Sequence, residues 1–147
     1  MKPLAGLAVL ALVVAPANAK APTVEKSGAE TQIKYEHVIA GHLTELNGKY
    51  KLRVSEVVYA PGGHIGDHHH VGPGIRYVES GEVTITEPSK TTVYKAGEYF
   101  FESGDMSHTG SNRTLVPTRV LAFELLPQDW VGSSAIPVPA SAKARAH

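Results

Sequence analysis

Turn signals punctuate this chain too often for helices of ordinary length to fit between them. Asn47-Gly48, Pro61-Gly62-Gly63, Ser80-Gly81, Pro88-Ser89, Ala96-Gly97 and Ser103-Gly104-Asp105 follow one another at short intervals. Each combines residues that adopt turn geometry at little steric cost. The runs between them are short and rich in β-branched, aromatic and other apolar residues: 75–78, 82–86, 91–94, 98–102 and 117–126. No convincing helical period appears, and no repeat recurs at 20–50 residues. Many short strands at regular spacing indicate an all-β sandwich or barrel. Fourteen glycines and ten prolines in 147 residues agree with that class rather than with a helical bundle.

The N-terminal half is read the same way. Residues 33–41 alternate loosely and form a first strand. Asn47-Gly48 is a strong hairpin signal. Residues 50–60 form the next strand, with Tyr50, Leu52 and Val54 on one face and Lys51, Arg53 and Ser55 on the other. The phase shifts near Glu56 and Val57, which suggests a bulge. Pro61-Gly62-Gly63 is expected to end the strand. Residues 33–127 thus make one domain, long enough for a core.

The flanks read differently. Residues 1–19 combine an early lysine, an apolar run at 4–14 and a small-residue site at Ala17-Asn18-Ala19. This is the pattern of a signal peptide cleaved after Ala19; the alternative is an uncleaved anchor. A bacterial-type signal places the mature chain in the periplasm or outside the cell, with no membrane attachment after cleavage. Residues 20–32 are polar and expected to be mobile, and 128–147, rich in Pro, Ala and Ser, to be a flexible tail. Formal net charge is zero and no basic run occurs, which argues against nucleic-acid binding. Cysteine is absent, so disulfides play no part.

The chemistry concentrates in residues 61–81, PGGHIGDHHHVGPGIRYVESG, which hold four of eight histidines. On an extended strand, residues two apart share a face. His68 and His70 can therefore aim two rings at one point, while His69 faces away. His108 is a further candidate. The plainer alternatives are a solvent-facing His-rich turn for the first pair, and a backbone-bonded loop histidine for His108. His64, in a glycine turn, is expected to face solvent. Asn112-Arg113-Thr114 fits a glycosylation acceptor, a short pattern that carries little weight.

With these residues in view, the chain resembles the cupins, specifically the single-domain, type-2 conserved barrels. The first cupin motif has the form G-x5-H-x-H-x3-E-x6-G; Gly62, His68, His70 and Gly81 fall in register, and Gly74 replaces the Glu. The second has the form G-x5-P-x-G-x2-H-x3-N; Gly97, His108 and Asn112 fall in register, with Ser103 for Pro and Asp105 for Gly. The resemblance spans roughly residues 51–126 and implies a jelly-roll β-barrel.

It also implies a site. His68, His70 and His108 would hold one divalent transition metal inside the barrel, at about 2.0–2.1 Å. Ligand type leaves Zn, Fe, Mn, Ni and Cu undistinguished. Gly74 would leave a gap beside the ion for water or substrate. Asp67 and Glu102 are the nearest carboxylates; Asp67 has the wrong strand phase, so Glu102 is the better stand-in and the one acid/base candidate. Position 76 turns inward with position 74. Arg76 then pairs with an internal carboxylate such as Glu102, or grips a substrate oxyanion, unless a bulge at 72–74 turns it out. Two functional classes follow. One is a mononuclear metal enzyme, dioxygenase-like (an oxidoreductase) or a Lewis-acid isomerase, acting on a small organic acid or oxyanion. The other is a non-catalytic barrel binding a metal or small ligand. By resemblance alone, a homodimer is the default assembly.

Overall fold

The computed structural model describes residues 23–139, so the signal-peptide reading of residues 1–19 lies outside the described residues. Strand-forming runs appear where turn residues release them: β1 (Lys26–Val38), β2 (Tyr50–His70), β3 (Gly74–Ser80), β4 (Glu82–Glu87), β5 (Lys90–Lys95), β6 (Tyr99–Glu102), β7 (His108–Ser111), β8 (Thr118–Pro127) and β9 (Ala135–Pro137). No helix occurs among the described residues. All pairings are antiparallel, in the order β5-β4-β7-β2-β8-β3-β6, with β1 and β9 also attached to β2. The strands curl into a nearly closed jelly-roll barrel, the all-β class expected.

β2 is long because it serves both halves of the barrel. Residues 50–59 pair with β8, residues 64–68 with β7, and residues 68–70 with β9. Pro61-Gly62-Gly63, expected to end the strand, is instead its corner. Gly62 takes φ 72°, open to glycine at no steric cost. A Cβ at Gly63 would stand 2.3 Å from the Gly28 carbonyl oxygen, so β1 can follow β2 around the bend only because that side chain is missing.

The inward face of β2 is unusual in its first half. Lys51, Arg53 and Ser55 are buried, while Leu52 is 54% exposed. The phase change near Glu56 is therefore no bulge: the register of β2 with β8 is unbroken from Tyr50 to Tyr59. From Lys51 to Tyr59 the odd-numbered positions point inward and switch from polar to apolar at Val57; the bulge lies further on, between Ile65 and His68, where the inward phase passes to even numbers. Glu56 is covered from outside by Lys34 at 2.9 Å and Arg119 at 2.6 Å. The apolar core, including Tyr59, Ile65, Val78, Val83, Ile85, Phe100 and Val120, occupies the other end of the barrel.

Both flanks are more ordered than composition suggests. Residues 26–32 belong to β1 and are held by its ladder to β2. The segment from 128 to 139 is likewise no free tail, because the buried cations of β2 need acceptors. The Trp130 carbonyl receives Lys51 Nζ at 2.6 Å and Arg53 Nη2 at 3.4 Å, and the Gly132 carbonyl receives Arg53 Nη1 at 2.6 Å. β9 then pairs with His68, His69 and His70.

Glu36 on β1 completes this lock, its Oε1 lying 2.6 Å from Arg53 Nε and 3.0 Å from Lys51 Nζ. Burial pushes its carboxyl up, but bonds from Lys51 and Arg53 outweigh that and hold it below its ordinary 4.5. A lowered folded pKa stabilises above the unfolded value, and that contribution is lost as pH falls through the folded one. Glu36→Gln should therefore cost stability at pH 7, by about 1–2 kcal/mol. That figure is discounted because the side chain is 35% exposed. Urea unfolding should show the gap closing as pH drops below 4.5 toward 3; an equal gap at both ends would contradict the lock.

Candidate metal centre

Register brings the three candidate histidines together. His68 on β2 lies directly opposite His108 on β7. His70 shares the inward face two residues on. The ring centroids are 4.4 Å apart for His68 and His108, 4.9 Å for His68 and His70, and 5.4 Å for His70 and His108. One ring nitrogen from each lies within 4.8 Å of the others. The remaining nitrogens are anchored: His68 Nδ1 to the Gly66 carbonyl at 2.7 Å, His108 Nδ1 to the Met106 carbonyl at 3.2 Å, and His70 Nδ1 near Ser134 Oγ and Glu124 Oε1, each at 3.4 Å. A carbonyl can only accept, so His68 and His108 carry a proton on Nδ1 and direct Nε2 at the cluster, the arrangement that suits metal ligation once any Nε2 proton is released. Burial, with neighbouring His108 adding to it, pushes His68 down to about 3, so that ring is neutral at pH 7.

Two carboxylates and one guanidinium stand beside the rings. Glu102, at the end of β6, places Oε1 3.0 Å from His108 Nε2 and Oε2 3.2 Å from His70 Nε2. Arg76 Nε is 2.7 Å from Glu102 Oε2, and its Nη2 donates to Glu124 Oε1 at 3.1 Å. Ser134 Oγ donates to the same Glu124 oxygen at 2.6 Å. Burial pushes Glu102 up, but contacts with His108 and His70 and the charge of Arg76 hold it well below the usual carboxylate range. Glu124 is lowered against burial by His70, Arg76 and Ser134. Burial would lower His70, and the two carboxylates reverse that and raise it. Glu102 Oε2 is buried and, despite its close neighbours, receives no well-directed hydrogen bond. An orphaned carboxylate oxygen beside three converging imidazoles fits a divalent cation.

The expected gap at Gly74 is absent. Gly74 pairs with Glu102 on one side and Glu124 on the other. A Cβ there would meet Arg76 Nη1 at 2.4 Å and the Phe123 carbonyl oxygen at 2.6 Å. The carboxylate missing from β3 has moved one strand to each side, and Arg76 fills the space between. No bulge turns Arg76 outward, since β3 keeps register with β6 and β8 from 74 through 77. Its guanidinium is committed to the two internal carboxylates, and the enclosed Nη1 has no partner. The structure thus gives Arg76 the internal pairing rather than an open grip on substrate.

The other candidates fall elsewhere. His69 faces away, beside Ile136. His64 is partly exposed, next to Glu25 at 3.1 Å. Asp67 is not among the residues lining the cavity. Asn112 is buried and donates to the carbonyls of Tyr59, Ala60 and Val116. Glu124 and Ser134 were not singled out from sequence. Glu124 had a signal: a lone carboxylate in the inward phase of Val120, Ala122 and Leu126. Ser134 had none, because only the long-range course of residues 128–139 brings it here. The histidines open onto a cavity of about 600 Å³.

The family profile described as "Cupin domain" matches residues 55–124. Among solved structures, the polyketide cyclase RemF from Streptomyces resistomycificus aligns at 16% identity and a TM-score of 0.55, covering 78% of this chain and 75% of that one. KdgF from a Halomonas species aligns at 16% identity and a TM-score of 0.54, covering 69% and 82%. A cupin domain from Bordetella pertussis Tohama I aligns at 17% identity and a TM-score of 0.51, covering 69% and 96%. At these identities the likeness is one of fold. No curated protein matches by sequence.

Proposed function

The chain belongs to the cupin superfamily, through a type-2 conserved barrel, and we propose that it is an exported mononuclear metal enzyme acting on a small organic acid or other oxyanion. The observation that carries this reading is the convergence of three imidazoles, two of them with Nδ1 fixed by backbone carbonyls, on one cavity. His68, His70 and His108 would hold the ion, with Glu102 as the anionic ligand in place of the carboxylate missing at Gly74. When bound, a divalent metal supplies Lewis acidity, and a redox-active one adds access to dioxygen chemistry. Glu124 and Ser134 orient His70, and Arg76 holds both carboxylates ionised and in place. Glu102 and Glu124 against Arg76 leave one net negative charge; a divalent ion reverses it to one net positive. An anionic ligand is then favoured, and the surrounding apolar wall strengthens that attraction.

The reading is tested by calorimetry on EDTA-stripped and metal-reloaded protein. It predicts one ion per chain, and binding of small carboxylates at least about tenfold tighter to the loaded form. Equal binding to both forms would contradict a role for the ion in ligand recognition.

A further inference from the structure

Tyr59 is a core residue with an unexplained hydroxyl. It is 6% exposed, and its ring packs among the core apolar residues. Its carbonyl is used by Asn112, yet its Oη has no hydrogen bond to any described residue. The oxygen is not sealed into the core but opens onto the cavity, where a bound molecule can accept from it. The chain makes room for this one. A Cβ at Gly110 would stand 2.8 Å from Tyr59 Oη. Gly110 does not adopt positive φ, so the backbone does not demand a glycine there; the hydroxyl does. Both residues line the cavity.

The place matters. Gly110 follows His108 by two on β7 and shares its inward face. Ile65 pairs with Gly110 as His68 pairs with His108. The hydroxyl thus arrives one strand repeat, about 6.6 Å along β7, from the histidines. Around it the wall is apolar: Ile65, Val83, Ile85, Phe100 and Val120. Burial, with the charge of Glu102 adding to it, pushes the Tyr59 phenol up, so it stays protonated and can donate.

We propose that Tyr59 is a specificity-determining hydrogen-bond donor, and that the cavity takes compounds with two oxygen functions at opposite ends of an apolar, ring-sized body. One oxygen faces the histidine cluster, and the other accepts from Tyr59 Oη. The position of the first oxygen rests on the metal-centre reading; the second rests on Tyr59 and Gly110 alone.

The test uses zinc-loaded wild type, Tyr59→Phe and Gly110→Ala, with zinc content measured first and 4-hydroxybenzoate and benzoate titrated by calorimetry. Tyr59→Phe should keep one zinc per chain, lose about tenfold in affinity for 4-hydroxybenzoate, and leave benzoate within about twofold. Gly110→Ala, which displaces the hydroxyl without removing it, should show the same selective loss. Ligand-free Tyr59→Phe should melt no lower than wild type, since no bond is lost. A fall of several degrees would reveal a hidden internal partner and overturn the proposal. Unchanged 4-hydroxybenzoate affinity in both variants, or no binding of either probe, at full zinc occupancy would overturn it and leave the metal centre standing. Wild type that takes up no zinc or other divalent metal would overturn the metal reading instead.

Discussion

Arg76→Met should be among the most destabilising single substitutions in this barrel, costing about 3–5 kcal/mol, because it leaves two buried carboxylates without their cation. Arg76 is 4% exposed, and both Glu102 and Glu124 depend on it. Methionine roughly keeps the volume, so the loss reads charge rather than packing. The measurement is urea unfolding of metal-free protein at pH 7. A second variant, Arg76→Met with Glu124→Gln, should recover part of the loss, since one uncompensated charge is removed. No recovery would show that the guanidinium matters through its packing alone.

His108→Ala should abolish stoichiometric metal binding, while His69→Ala should leave it unchanged. The contrast follows from strand phase and register. His108 lies opposite His68 and faces the cavity, whereas His69 points away beside Ile136. The loss should exceed the roughly 10–100-fold seen when only an outer partner of a ligand is removed. Glu124→Gln, which keeps the shape but weakens the acceptor near His70 Nδ1, should fall within that smaller range. Metal content after dialysis, with competition against a chelator for the affinities, distinguishes the three. Equal losses for His69→Ala and His108→Ala would mean that the effect is not ligation.

How much of this was legible beforehand depended on the distance over which information had to travel. Turn residues and strand alternation are local, and they gave the all-β class and most strand positions. The pairing of His68 with His70 is also local, being a two-residue repeat on one strand. The inward Lys51 and Arg53 were harder. Their phase was read, but which face turned inward was decided by acceptors some 79 residues away, at Trp130 and Gly132. Gly74 misled for the same reason. Its neighbours on β6 and β8 supply the two carboxylates, and only the register of three strands shows that the space beside it is full. Residues 128–139 looked like a tail by composition because their role is to offer backbone carbonyls, which composition does not record.

The central claim is that three imidazoles and a nearby carboxylate hold one metal ion inside this barrel. X-ray absorption at the metal edge of zinc-loaded protein tests it most directly. Three nitrogen scatterers with imidazole signatures at about 2.0–2.1 Å, plus oxygen from Glu102 at about 2.0–2.2 Å, are predicted. The oxygen shell should change in Glu102→Gln and the imidazole count should remain three. A spectrum with one imidazole or none, or one unaltered by His108→Ala, would contradict the account.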